Sequence, residues 1–264
     1  LRRINTEYMA TYKKRGYKPK TKVEPQEEEI VDEHSTTAEV FNTLDESASK
    51  TEEWAEKNQK TILVAVGAVA VFILGYLGYN KFIAEPKAEE AMNDMFTAQQ
   101  YFDQAVNGTE KDSLYTLALE GSGGKFGMVD IADKYSGTPA GNLANYYAGM
   151  AYLNLKDYKN AIEYLQNFSS SDIMLAPLAK GGIGDAFVQL DQLDDALGYY
   201  EQAINASANE FTTPLYLFKA ATLANKLGDA NKALTYFKRI KNEFPDSTEA
   251  TNIDVFIGRA EAAL

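Results

Sequence analysis

The chain has 264 residues, no cysteine, and 38 acidic against 26 basic side chains, for a net charge of −12 and a pI near 4.7. That charge argues against phosphate-backbone binding by the folded part, and the missing thiols exclude disulfides, thiolate metal sites and thiol nucleophiles. One folded domain with additional segments is expected at this length.

Residues 1–36 show no apolar period and read as a disordered, charged cytoplasmic tail, with Met9 a more natural start than Leu1. Its basic run, Lys13, Lys14, Arg15, Lys18, Lys20 and Lys22, precedes the acidic stretch "EPQEEEIVDE". Such a run is first a topology determinant and second a surface for anionic lipid or ribosomal RNA, the one nucleic-acid contact considered. The single histidine, His34, stands alone, and metal sites need converging ligands. Over 37–60, Val40, Phe41, Leu44, Ala48, Thr51, Trp54 and Ala55 recur at helical spacing, which predicts an amphipathic juxtamembrane helix.

From Thr61 to Asn80 there is no charge, and Lys60 and Lys81 bracket the run. Twenty residues at about 1.5 Å each match a hydrocarbon core of roughly 30 Å. Ile, Leu, Val and Phe together favour insertion by about 3–6 kcal/mol on the translocon scale. The run is too long and too far from the start for a signal peptide, so 61–80 is predicted to be a single transmembrane helix. Trp54, Tyr76 and Tyr79 stand where aromatic rings prefer the headgroup boundary, and the basic N-terminal flank predicts a cytoplasmic N-terminus. Gly67, Gly75 and Gly78 share a face on which a second membrane helix could pack closely.

Glu85-Pro86 is expected to interrupt this helix. Beyond it, 87–264 has helical periods and no strand pattern, beginning with an amphipathic helix at about 87–106. "EGSGGKFG" resembles a phosphate loop only loosely, because Phe126 follows Lys125 where Ser or Thr is needed. After residue 138 the chain repeats itself. "GMAYLNLKDYKNAIEYL", "GDAFVQLDQLDDALGYY" and "AATLANKLGDANKALTYF" align Gly149, Gly184 and Ala221, then Tyr152, Phe187 and Ala224, then Ala161, Ala196 and Ala233. The spacing lies close to the 34-residue tetratricopeptide period. Repeats are placed at about 139–168, 177–206 and 214–245, with 246–264 as a capping helix. The fold class is therefore all-α: one transmembrane helix followed by a tetratricopeptide-repeat superhelical domain.

Tetratricopeptide domains use the first helix of each pair as a concave wall. The family pattern puts Leu143, Tyr146, Met150, Leu153, Leu178, Asp185, Val188, Leu215 and Phe218 there, as a partner-binding groove without the Lys and Asn of a carboxylate clamp. The competing expectation is that the helix at 87–106 folds back and buries the wall. Asp194 and Asp195 open a helix, where carboxylates favour the positive end of its dipole, and no catalytic residue, metal site or cofactor site is predicted.

The layout of tail, span and repeats, with "EEWAEKNQKTILVAVGA" leading into the span, resembles the YfgM-like family of bacterial inner-membrane proteins, ancillary subunits of the SecYEG translocon. The resemblance covers about residues 50–264 and implies a periplasmic repeat domain. It also implies SecYEG subunits as partners, with periplasmic chaperones or unfolded polypeptide. The resulting expectation is a non-enzymatic membrane-anchored adaptor or chaperone. The alternative is a repeat scaffold in another cell-envelope assembly or secretion complex.

Overall fold

The structure, a computed structural model, describes residues 36–264, with side chains from residue 51 onward. The predicted tail, its basic run and His34 lie outside the described residues. The chain forms two units, one ending at Val69 and one running Ala70–Leu264. Among the described residues all regular structure is helical.

Helix α1, Thr36–Tyr79, shows no separate juxtamembrane element: the predicted amphipathic segment and the apolar run are one helix. It is long and apolar enough to cross a membrane, with mean hydropathy 2.3 over its most apolar 18 residues, none of them buried. The break expected at Pro86 does not occur. Instead Asn80–Ala84 forms a π-turn, in which the Glu85 N–H donates to the Asn80 carbonyl, and α2, Glu85–Asn107, follows directly. Pro86 then sits in the first turn of α2, directly behind the widened turn that makes room for its ring.

Two short helices, α3 (Lys111–Glu120) and α4 (Met128–Lys134), pack with α2. Three helix pairs follow: α5 (Pro139–Asn154) with α6 (Tyr158–Asn167), α7 (Leu175–Gln189) with α8 (Leu193–Ala206), and α9 (Thr212–Lys226) with α10 (Ala230–Glu243). The capping helix is shorter than the sequence suggests. Residues 246–252 make a 3₁₀ turn at Thr248–Ala250 and a left-handed Asn252, and only Ile253–Glu261 forms α11. The Ser247 hydroxyl accepts the Ala250 N–H and closes that turn before a helix can start.

The turn inside each pair is built the same way. Lys156, Asp191 and Gly228 adopt positive φ, and the next N–H, of Asp157, Gln192 or Asp229, reaches back to the carbonyl of Tyr152, Phe187 or Ala224 at 2.9–3.0 Å. This is the closure that ends a helix by satisfying its orphan carbonyls. Asp157 and Asp229 then cap the next helix, accepting from the N–H of Asn160 and Lys232.

Within each of the first two pairs a large side chain of the second helix sits against a glycine of the first. A Cβ added at Gly149 would lie 2.5 Å from Leu165 Cγ, and one at Gly184 would lie 2.7 Å from the Tyr200 ring. Stacked rings, Tyr152 on Tyr164 and Phe187 on Tyr199, fill the flank at the same position of each pair. Gly149→Val is expected to lower the stability of the detergent-solubilised chain by about 1–3 kcal/mol through overpacking. Gly198→Ala, where an added Cβ meets nothing within 4 Å, should leave stability unchanged or raise it. Thermal unfolding followed by circular dichroism separates the two.

Candidate protein-interaction site

The residues expected to form a concave wall lie on α5, α7 and α9, and the structure does not keep them together. Leu153 and Val188 stay close: both line a cavity of about 510 Å³ between the first two pairs, with Asn154, Tyr158, Asp185 and Tyr200. Asp185, a third wall residue, lines the same cavity, Val188 is also half-buried against the cluster of α8–α11, and the remaining six are taken up by packing. Tyr146 is buried against Phe168, and Met150 points its sulfur at Gly182, 3.4 Å from where a Cβ would be. Leu143 and Leu178 are half-buried in the cluster around Leu165 and Ile183. Leu215 and Phe218 belong to the last cluster, where Phe218 meets Phe237 and also Phe256 of α11. The capping helix therefore covers the third-pair end of the wall, which the spacing alone does not reveal.

The fold-back of α2 is real but partial. Its Ala91, Met95, Ala98 and Ala105 are buried with Ala140, Ala144, Ala148 and Ala151 of α5. Phe102 lies edge-on to Tyr147 at 4.9 Å, and the Gln99 amide donates to the Tyr147 hydroxyl at 3.0 Å. Leu143 is shared between this cluster and the next, while Leu153, near the other end of α5, stays at the cavity.

A polar hub borders the cavity. Lys219 of α9 donates to both Asp185 oxygens at 2.7 and 2.8 Å, and the Tyr200 hydroxyl donates to Oδ1 at 2.7 Å. Tyr216 of α9 packs onto Gly181 of α7, so its ring occupies the wall position where the second repeat has no side chain. Burial, with the Asp185 charge second, holds the phenols of Tyr200 and Tyr216 above their ordinary range, and burial pushes Tyr146 up to about 12. Lys219 and the hydroxyl role of Tyr200 were missed from sequence. The available signal was spacing: Asp185 and Lys219 are 34 residues apart, one repeat length.

A second, larger cavity of about 870 Å³ lies between α4, α5 and α6, rimmed by Asp130, Asp133 and Glu163 among asparagine and hydroxyl side chains. Its acidic rim opposes anionic occupants. In the apolar helix, a Cβ added at Gly67, Gly75 or Gly78 would meet nothing within 4 Å, so that face has no partner among the described residues. Asp194 and Asp195 occupy the first turn of α8 and face solvent. No group of His, Asp or Glu that could hold a metal ion occurs among the described residues.

The tetratricopeptide repeat family profile matches residues 143–171 and 216–247, covering most of the first and third pairs. The match leaves out 172–215, where α7 carries Gly181, Gly182 and Gly184 and borrows Tyr216 from its neighbour. No curated protein matches the chain. A tetratricopeptide domain points to protein partners, and what this one presents is a cavity of mixed lining, with half-buried Leu153 and Val188 among hydrogen-bonding side chains.

The alkaline limb of stability tests the tyrosine environment. A phenol whose pKa is raised on folding stabilises the folded state fully below its unfolded value near 10, and that contribution is lost as pH climbs through the folded value, about 12 for Tyr146. Stability is therefore expected to fall between those limits, and Tyr146→Phe should flatten the slope. A slope unchanged by this substitution, in melting curves taken across that range, would contradict the assignment.

Proposed function

We propose that the protein is a non-enzymatic adaptor, anchored in a bacterial inner membrane by residues 61–80. Its N-terminus is cytoplasmic and its repeat domain periplasmic, acting beside the Sec translocon on secreted or envelope proteins as they emerge. The observation that carries the adaptor reading is the half-buried pair Leu153 and Val188, lining an open cavity on a tetratricopeptide domain that follows a helix able to cross a membrane. Half-buried apolar side chains that line an open cavity suit contact with apolar segments of another chain. The orientation is supported by the basic N-terminal flank, and the translocon by the sequence resemblance. The non-enzymatic reading is supported by a chain with no cysteine and one histidine, in the tail. Gly67, Gly75 and Gly78 are the proposed packing face for a membrane partner.

Two measurements test this. Mild-detergent pull-down of the tagged full-length chain should enrich SecYEG subunits over a control with its span exchanged. Recovery of a different envelope complex in their place would overturn the translocon assignment and make the domain a scaffold of that complex. At the groove, the pair Leu153→Glu and Val188→Glu should weaken binding of an unfolded apolar peptide by about tenfold or more, roughly 1.4 kcal/mol, with the helical signal retained. Tyr146→Glu should instead lower the melting temperature, since it puts a charge at a buried position. Undiminished peptide affinity in the folded double variant would remove this pair from the binding site.

A further inference from the structure

The apolar run does not stop being membrane-like at Asn80. One turn further on, Phe82 is 80% exposed and Ile83 55%. Lys81, the first charge after the run, donates to Glu85 at 2.9 Å, so its charge is matched on the side leading away from the run. Tyr76, Tyr79, Phe82 and Ile83 thus form a belt of exposed aromatic and apolar side chains of the kind that sits at the headgroup boundary.

The repeat domain reaches this level. A cavity of about 440 Å³ has Tyr79, Asn80, Ala84, Glu85 and Lys87 on one side and the turn between α4 and α5, residues 136–139, on the other. That turn is fixed from within: the Thr138 hydroxyl donates to the Tyr135 carbonyl and accepts the Gly141 N–H. What it shows to the cavity is small: Ser136, Gly137, Thr138 and the ring of Pro139. Among the described residues Lys87 makes no ion pair, and the side chains of Asn80 and Ser136 make no hydrogen bond.

We propose that this notch seats a phospholipid headgroup and that the repeat domain rests on the bilayer through its α4–α5 turn. The proposal depends on residues 61–80 spanning the membrane. Given that span, Tyr79–Ala84 lies in the headgroup layer, and whatever flanks those residues lies in it too. A lipid phosphate there meets the Lys87 ammonium and the Asn80 amide, while Glu85, already shared with Lys81, faces the amine of a zwitterionic lipid. The walls mix Tyr79, Ala84, Ala88 and Pro139 with the polar Asn80, Lys87 and Ser136, the combination of apolar rim and polar floor that a headgroup with its glycerol and upper acyl carbons meets. The first buried residue of α2, Ala91, follows Ile83 by only about 12 Å of helix, so the domain has no stalk to stand on.

The test uses the full-length chain with Trp54→Phe, reconstituted into phosphatidylethanolamine–phosphatidylcholine vesicles containing lipid brominated high on its acyl chains. Single tryptophans are introduced by Phe72→Trp, Phe82→Trp, Ser136→Trp and Val255→Trp. Fluorescence at positions 72, 82 and 136 should fall by about twofold or more, the expectation for a ring at or below the headgroup boundary, while position 255 is unaffected. Adding Lys87→Glu should halve the quenching at 136 and leave that at 82 unchanged. Quenching at 72 without quenching at 136 overturns the notch and leaves the span intact. Equal quenching at 136 with and without Lys87→Glu overturns the headgroup assignment. No quenching at 72 removes the span and the proposal together.

Discussion

The repeat domain depends on one kind of contact: a large side chain of one helix seated where its neighbour has no Cβ. Leu165 over Gly149 and Tyr200 against Gly184 close the first two pairs, and Tyr216 over Gly181 joins the second pair to the third. Each lets two backbones approach closely while the large residue buries most of its surface, so dispersion and desolvation are gained together. The contact is also directional, since the bulky side chain must meet the position on the facing helix that lacks a Cβ. In the third pair Ala221 and Ala224 serve where the first two use Gly149 with Tyr152 and Gly184 with Phe187, and Phe237 supplies the bulk.

Polar contacts then fix how one pair sits on the next. Asp185 is held by Lys219 of the following pair, and Glu201 takes the Tyr236 hydroxyl at 2.7 Å and Lys232 at 3.1 Å. At the other end the hydroxyl of buried Tyr135, at the C-terminus of α4, lies within hydrogen-bond distance of both Glu90 and Asp94 of α2 and can donate to either, and Lys134 lies within 3.3 Å of both carboxylates. Half-exposed ion pairs contribute little net stability in water. Their value here is register, because each has its partner in place only when the helices are stacked in one way.

Much of this was legible in the sequence because the packing rule is local. Gly149, Gly184 and Ala221 recur at one repeat length, and a small residue followed at fixed distance by an aromatic states the helix pair directly. The wall was less legible for the same reason. Tyr146 and Phe218 occupy wall positions by spacing, yet Phe168, at the end of its own repeat, and the capping helix, beyond the repeats, cover them, and neither contact is encoded in the small-residue and aromatic spacing. Pro86 misled differently: proline is read as a breaker when its ring meets the preceding turn, and here the preceding turn is widened. The hub of Asp185 and Lys219 was visible only as a pair one repeat apart, a separation that pairwise inspection along a single helix does not sample.

That widened turn has a bearing on how the chain tolerates change in length. A π-turn carries one residue more than an α-turn over the same axial stretch, and it takes up the surplus without rotating what lies beyond it. Losing one residue between Asn80 and Ala84 would let the turn relax to ordinary α-helix with Ala91, Met95 and Ala98 still aimed into their cluster. The same loss inside α2 would swing that face by about 100° out of the domain. The joint between the apolar helix and the repeats is thus a slip in the gearing: length can vary there while azimuth is kept.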